Sequence, residues 1–392
     1  MITSHTSMRE QNVHIVLSEI INKPEVSRAD ISKNTKLNKA TVSEIVRELI
    51  TNKYVIETGI GSGSSAGGRK PILLKINKHA GISLSFDIRY DKISYMINFL
   101  NGEMIEQLSK NVKITKNNVV DEISTIVKEV NKHNLATPFG IIGIAISIHG
   151  IISNNKIIFT PNYNIDQLDL AAQIKAALDI PVYIENEANL AALAEASIDN
   201  GYKNLVTCSI HTGVGAGIII DEQLYRGHNG RSGEIGHTTL YPDGVKCPCG
   251  NKGCFEQYCS ETALLNSYQK EKQNEELSIN DLINDYNNHD KMSQELVNQF
   301  SKNLSIGLIN IMGLFGPEII YINSPLVNQL PIIIDLVRSN LDGTIFNKIP
   351  IALSQIHNHP SLIGATVMNI QNFLNVDAIK VNILNDDKIT ND

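Results

Sequence analysis

No apolar run in this 392-residue chain is long enough to span a bilayer, and the polar N-terminus has no secretory-type hydrophobic stretch. Those absences argue against a helical membrane protein and an exported one, and predict a cytoplasmic protein. Cysteine is scarce. There are five, an odd number, and three of them fall within eight residues. Such a set makes no disulfide framework and fits a reducing compartment. Cys208 and Cys259 stand apart and read as ordinary buried thiols. Charged residues are only 19% against 42% hydrophobic, which excludes a disordered chain. No internal repeat is visible. The length predicts two or three domains.

What charge there is lies unevenly. Residues 1–75 carry eleven Lys/Arg against seven Asp/Glu, a balance of +4. With −7 for the whole chain, the remainder carries −11. A mildly basic start on an acidic body predicts that only the first part meets a polyanion.

The densest pattern is Gly233 to Glu256, GEIGHTTLYPDGVKCPCGNKGCFE. His237, Cys247, Cys249 and Cys254 follow the spacing H-x9-C-x-C-x4-C. Thiolates and imidazole are preferred Zn²⁺ ligands, and four fill a tetrahedral shell. Gly250 and Gly253 give the tight backbone on which the thiols converge. A closed Cys3His shell leaves no position for an activated water, so the zinc is expected to be structural. Glu234 and Glu256 flank the ligands, and carboxylates accept hydrogen bonds from sugar hydroxyls. The alternatives are free cysteines in a loop and solvated surface carboxylates beside it.

In the first seventy-five residues, Val13, Val16, Leu17, Ile20 and Ile21 form one helical stripe. Ser27 reads as an N-cap with Asp30 in capping-box position, opening a helix to about Asn34. Thr35–Leu37 is the turn. Asn38 caps a second helix that buries Val42, Ile45, Val46 and Leu49. This is a helix-turn-helix pattern. Strands at Tyr54–Glu57 and Ile72–Ile76 would flank a glycine-rich wing. Lys39, Thr41, Ser43 and Arg47 are the expected groove contacts, with Arg69 and Lys70 on the backbone or minor groove. The rival reading is a three-helix module that docks a protein.

From residue 80 strands and helices alternate, which implies an α/β body. Expected strands are Ile82–Phe86, Ile93–Phe99, Ile141–Ile148, Val182–Ile184, Leu205–Ser209, Gly217–Ile220 and Glu318–Ile322. Expected helices are Val119–Val130, Leu168–Leu178, Asn189–Ser197, Met292–Leu314, Pro331–Ser339 and Leu362–Phe373. More than 300 residues should split into two lobes around a cleft. Ile184–Asn189 (IENEAN) sits where a strand end enters a helix, a favoured ligand position. Asn186 can donate and accept there, and Glu187 can accept or act as a base. The polar tail after Ile383 is expected to fray.

G-E-I-G-H followed by C-x-C-G-x-x-G-C-x-E resembles the signature of the ROK family of repressors, open reading frames and sugar kinases. S-R-A-D-I, N-K-A-T-V-S and G-G-R-K-P look like the winged helix of its repressor branch. The resemblance implies a winged helix-turn-helix over 1–78 and an actin-like, ribonuclease-H-like two-lobed body. It divides that body into a lobe over 79–200, to which a helix near 360–385 returns, and a lobe over 201–360 with the zinc loop. It also implies sugar contacts from His149-Gly150, Asn186, Glu187, Glu234, His237 and Glu256.

Kinases of the family carry an aspartate where this chain has Glu187. They also carry a D-x-G-x-T turn where it reads Asp87-Ile88-Arg89-Tyr90. Arg89 replaces the glycine that lets a backbone approach phosphates. Ile322-Asn323-Ser324 stands where the family often has a glycine pair, while the run Thr212–Gly217 is kept. A sugar half retained beside a damaged nucleotide half implies a non-enzymatic, sugar-responsive repressor. Its partners would be operator DNA, a monosaccharide and a second copy of itself, with a tetramer also open. E-N-E-A-N-L-A-A is similar to the xylose-repressor branch, making an aldose such as xylose the expected ligand. The alternative is an ATP-dependent sugar kinase that carries a DNA-binding head.

Overall fold

The computed structural model describes residues 5–61, 70–132, 136–160, 165–166, 168–198 and 201–381. The wing tip with Arg69, and the tail after Ile383, lie outside the described residues. The chain forms two compact units. One takes Met1–Leu190, Ser197–Asp199 and Ser361–Asp392, and the other takes Ala191–Ala196 and Asn200–Pro360.

The head opens with α1 (His5–Ile21), then β1 (Val26–Ser27), α2 (Arg28–Thr35) and α3 (Lys39–Thr51). Strands β2 (Val55–Ile60) and β3 (Ile72–Ile76) follow. The Ser27–Asp30 capping box forms as expected, and Asn38 caps α3 by accepting from the Thr41 amide at 2.9 Å. Between them Lys36 takes a left-handed conformation, φ 61°, which ends α2. The sheet order is β1-β3-β2, all antiparallel, so the wing has a third strand that the sequence pattern did not reveal.

The rest of the first unit contains β4 (Ile82–Ile88), β5 (Lys92–Phe99), β6 (Met104–Asn111), α4 (Val119–Lys132) and β7 (Ile141–Ile148). A small hairpin of β8 (Ile151–Ser153) and β9 (Lys156–Phe159) comes next, then α5 (Leu170–Leu178), β10 (Val182–Asn186) and α6 (Glu187–Ser197), whose residues Ala191–Ala196 count with the second unit. The main sheet runs β10-β7-β4-β5-β6. Its β4-β5-β6 part is an antiparallel meander, and β7 and β10 add parallel to β4. Seven of the eight β7 residues are buried, as expected of an apolar strand covered on both faces.

The second unit is built from β11 (Leu205–Ile210), β12 (Val214–Ile220), β13 (Gln223–Leu224), α7 (Glu256–Cys259), α8 (Glu261–Lys272) and α9 (Ile279–Asn287). After these come α10 (Lys291–Phe315), β14 (Ile319–Asn323), α11 (Pro325–Gln329), α12 (Ile332–Leu341) and β15 (Ile351–Leu353). Its sheet runs β13-β12-β11-β14-β15. Again a meander of three continues into two parallel strands. The two sheets therefore share one connectivity although the sequence shows no repeat. Helix α13 (Pro360–Leu374) then returns to the first unit.

Among the described residues, the head has no separate core. Val16, Leu17, Ile20, Val42, Ile45 and Val46 share one buried cluster with Leu100, Ile142, Val367, Ile370, Leu374, Val376, Ile379 and Val381. Tyr54 from the head packs on Phe139 and Phe373, with centroids at 4.7 and 5.7 Å.

Candidate functional site

The candidate residues fall in three places. On the head, Lys39 and Arg47 are exposed on α3, and Thr41 and Ser43 are half-buried. The Ser43 hydroxyl donates back to the Lys39 carbonyl at 2.7 Å, so it is partly committed to its own helix. Lys70 is exposed at the foot of β3. The sequence pattern missed the arginines that neutralise acids here. Arg9 of α1 lies 3.5 Å from Glu44 and 2.5 Å from Glu48, and Arg28 lies 3.0 Å from Glu57. These partners are far apart in sequence, so no local spacing marks them.

In the first unit, the C-terminal ends of three parallel strands bring Asp87, Ser147 and Glu185 into one register row. Asp87 is buried, and its two oxygens are both used. Ser147 donates to Oδ1 at 2.9 Å and the Arg89 Nε donates to Oδ2 at 3.0 Å. The His149 Nε2 stands 3.5 Å from Oδ1. Burial opposes ionisation of Asp87, but the imidazole, guanidinium and hydroxyl outweigh it and hold the carboxyl well below its usual range. Burial likewise works against a charged His149, yet Asp87, with Glu187, raises its pKa.

Asn186 ends β10 and caps α6. Its Oδ1 accepts from the amides of Ala188 and Asn189 at 2.8 and 3.2 Å, and its Nδ2 donates to the Gly150 carbonyl at 2.8 Å. Hence α6 begins at Glu187 rather than Asn189, and Asn186 keeps one amide proton for a ligand. Glu187 itself is 8% exposed at the first helical position, where the helix dipole favours a carboxylate.

In the second unit, Gly233–His237 packs against β12. A Cβ at Gly233 would fall 1.8 Å from the Ala216 carbonyl oxygen, and one at Gly236 would fall 2.2 Å from that of Val214. Only glycine fits at either position, which explains the G-E-I-G spacing. The packing sets Glu234 in electrostatic reach of His237 and Glu256. Burial raises the Glu234 pKa, His237 counteracts this and Glu256 adds to it. Glu256, the first residue of α7, accepts from the Val214 amide at 3.0 Å. The glycine-rich run Thr212–Gly217 is the β11–β12 hairpin and the start of β12, longer than the expected strand at Gly217. Asn323 donates to Ser209 at 3.3 Å, and Ser324 caps α11 and bonds Glu261 at 3.1 Å. Both side chains are thus used within the unit.

His237, Cys247, Cys249 and Cys254 each turn one ligand atom to a common point, all within 4.8 Å of one another. The Cys247 Sγ is 3.7 Å from His237 Nδ1, and the Cys249 Sγ is 3.7 Å from the Cys254 Sγ. Ligands about 2.3 Å from the centre of a tetrahedron stand about 3.8 Å apart, so the four atoms fit a metal ion. Gln257 donates its amide to Cys247 at 3.7 Å. With Nδ1 facing the thiols, the Nε2–H of His237 is left for another partner.

A three-stranded winged helix-turn-helix preceding two sheets of matched connectivity, one bearing a Cys3His cluster, defines a head-and-body regulator on an actin-like fold. Residues 83–376 match the ROK family, and the chain belongs to it. The xylose repressor of Bacillus subtilis (strain 168) is 37% identical, over 96% of this chain and 99% of its own. A glucokinase of Streptomyces coelicolor is 27% identical, over 73% of this chain and 96% of its own. The crystal structure of a ROK family transcriptional regulator, described as a homolog of the E. coli MLC protein, superimposes with a TM-score of 0.80. It is 26% identical and covers 93% of this chain and 97% of its own.

Proposed function

We propose that this chain is a sugar-responsive transcriptional repressor that acts as a homodimer in the cytoplasm. The observation that carries the reading is the alignment with the B. subtilis xylose repressor, which includes the head and leaves almost nothing of either chain unmatched. The glucokinase match leaves more than a quarter of this chain aside. The head holds operator DNA through Lys39, Thr41, Ser43, Arg47, Arg69 and Lys70. Gly150, Asn186, Glu187, Glu234, His237 and Glu256 take the hydroxyls of an aldose such as xylose. His237, Cys247, Cys249 and Cys254 hold a structural Zn²⁺, which when bound locks the loop and fixes the His237 ring.

A kinase role is disfavoured by chemistry at Asp87. In this reading, the position where kinases keep a glycine carries Arg89, and its guanidinium occupies the carboxylate with a 3.0 Å bond. The glucokinase similarity gives the kinase reading its own support. Two measurements separate them. A gel shift with the DNA upstream of its own gene should show a complex that xylose weakens. An ADP-release assay over pentoses and hexoses should show no turnover. Failure to bind that DNA sinks the repressor reading, and turnover at ordinary kinase rates, about 1–100 s⁻¹, sinks the non-enzymatic one.

A further inference from the structure

Arg89 does more than fill space at the end of β4. Its Nε is bound to Asp87, a carboxylate only 4% exposed and itself held by Ser147. Its backbone amide is bound to the Lys92 carbonyl at 2.9 Å, closing the β4–β5 turn. The guanidinium is therefore fixed at its inner edge. Its Nη groups make no hydrogen bond among the described residues, and its side chain is 55% exposed. Asp87, Ser147 and Glu185 lie in one row across β4, β7 and β10, so Arg89 and Glu187, each two residues beyond that row, leave the same edge of the sheet. Glu187 and Asp91 both act electrostatically on the guanidinium, and Glu187 acts on His149 as well. A planar donor pair thus shares that sheet edge with a carboxylate.

The charge around this point has no positive excess. Three carboxylates, Asp87, Glu187 and Asp91, are set against Arg89 and His149. Such a cluster offers no net attraction to a phosphate or another dianion. A donor pair beside an acceptor does suit a neutral polyol, because each hydroxyl both accepts and donates. A guanidinium also presents its donors in a rigid plane, which an ammonium does not.

We propose that Arg89 is a specificity-determining contact of the sugar site, whose Nη donors and the Glu187 carboxylate together take adjacent hydroxyls of one neutral monosaccharide. The proposal rests on the sugar-binding reading above. It adds to that reading a residue that no motif marks as a ligand contact, and gives it a role other than obstruction.

Calorimetric titration of the full-length chain with D-xylose tests it. Arg89→Ala should bind xylose at least tenfold more weakly, and Arg89→Lys should recover part of the loss, while both melt within a few degrees of the wild type. The same titration with monodeoxy-xyloses separates contact from support. For the one analogue that lacks the hydroxyl Arg89 takes, wild type and Arg89→Ala should bind equally weakly. An equal loss for every analogue and for xylose itself means that Arg89 only shapes the site, and overturns the proposal. Undiminished xylose binding by Arg89→Ala overturns it too and leaves the sugar reading standing. No xylose binding by the wild type overturns both.

Discussion

Glu195 shows how far one side chain can set a pH dependence in this fold. It is fully buried on α6. Its Oε1 accepts from the Ser354 hydroxyl and from the Gln355 amide, the latter at 3.1 Å. Burial pushes its pKa up to about 7, against the lowering effect of Ser354 and the neighbouring amides. The folded chain therefore holds a proton, between the ordinary carboxyl range and about pH 7, that the unfolded chain has released. Stability must fall as pH rises through that window, and the full cost is present above it. Glu195→Gln keeps an acceptor for Ser354 and Gln355 and removes the charge. It should match the wild type in urea melts at pH 5 and exceed it at pH 8, by up to about 3 kcal/mol. An equal difference at both pH values would refute the account. Cys249 gives a second residue-scale test, because it is the exposed thiol of the metal cluster. Cys249→Ser leaves no core cavity, so a fall in melting temperature would report the metal. Zinc measured by atomic emission should drop from about one equivalent per chain to well below it.

Helix α3 reads as the element that meets DNA, and its charges divide into two kinds. Arg47 and Lys39 are exposed cations, while Glu44 and Glu48 are paired with Arg9. Arg47→Ala should lower the slope of log affinity against log salt by about one unit. Arg9→Ala should change the melting temperature little, since exposed pairs contribute about 0–1 kcal/mol. It should still weaken operator binding, because two carboxylates would then face phosphates unneutralised. Equal operator affinity for Arg9→Ala and wild type would remove Arg9 from the interface. This contrast also marks the limit of what the sequence made legible. The Ser27–Asp30 box, the Asn38 cap and the His237–Cys254 spacing could be read because each is settled within a few residues. Strand β6 could not be, since its residues are mostly exposed and show no apolar alternation. Strand β1 has two residues and exists by pairing with Leu73 and Leu74. The Asp87–Ser147 bond joins residues sixty positions apart, and only the β4–β7 register brings them together.

At the scale of the whole molecule, the last described residues decide how firmly the head is held. After α13 the chain runs along α1. His14 bonds the Asn375 carbonyl and stands 3.3 Å from Asp377. Asn22 donates to the Ala378 carbonyl at 3.1 Å and accepts from the Lys380 amide at 2.6 Å. Val376, Ile379 and Val381 are at most 7% exposed, in the same cluster as Val16 and Ile20. The Val381 amide then bonds the carbonyl of Ser197, the last residue of α6, at 2.9 Å. The same helix begins with Glu187, so the segment joins α1 to the far end of a helix that carries a residue of the proposed sugar site. No local pattern predicts this, because the contacts span more than 350 residues. Two consequences can be measured. A fragment of residues 1–78 lacks nine buried residues of its own core cluster, Ala80 among them, and should melt without a cooperative transition. Ile379→Ala in the full chain should cost about 2–5 kcal/mol, as for other buried aliphatic truncations. Ile345, 89% exposed, gives the control, and Ile345→Ala should be nearly neutral. If the head were an independent bead, the fragment would fold cooperatively and Ile379→Ala would leave operator affinity unchanged. If it is welded to the body as the contacts require, operator affinity should fall with the stability of that shared core.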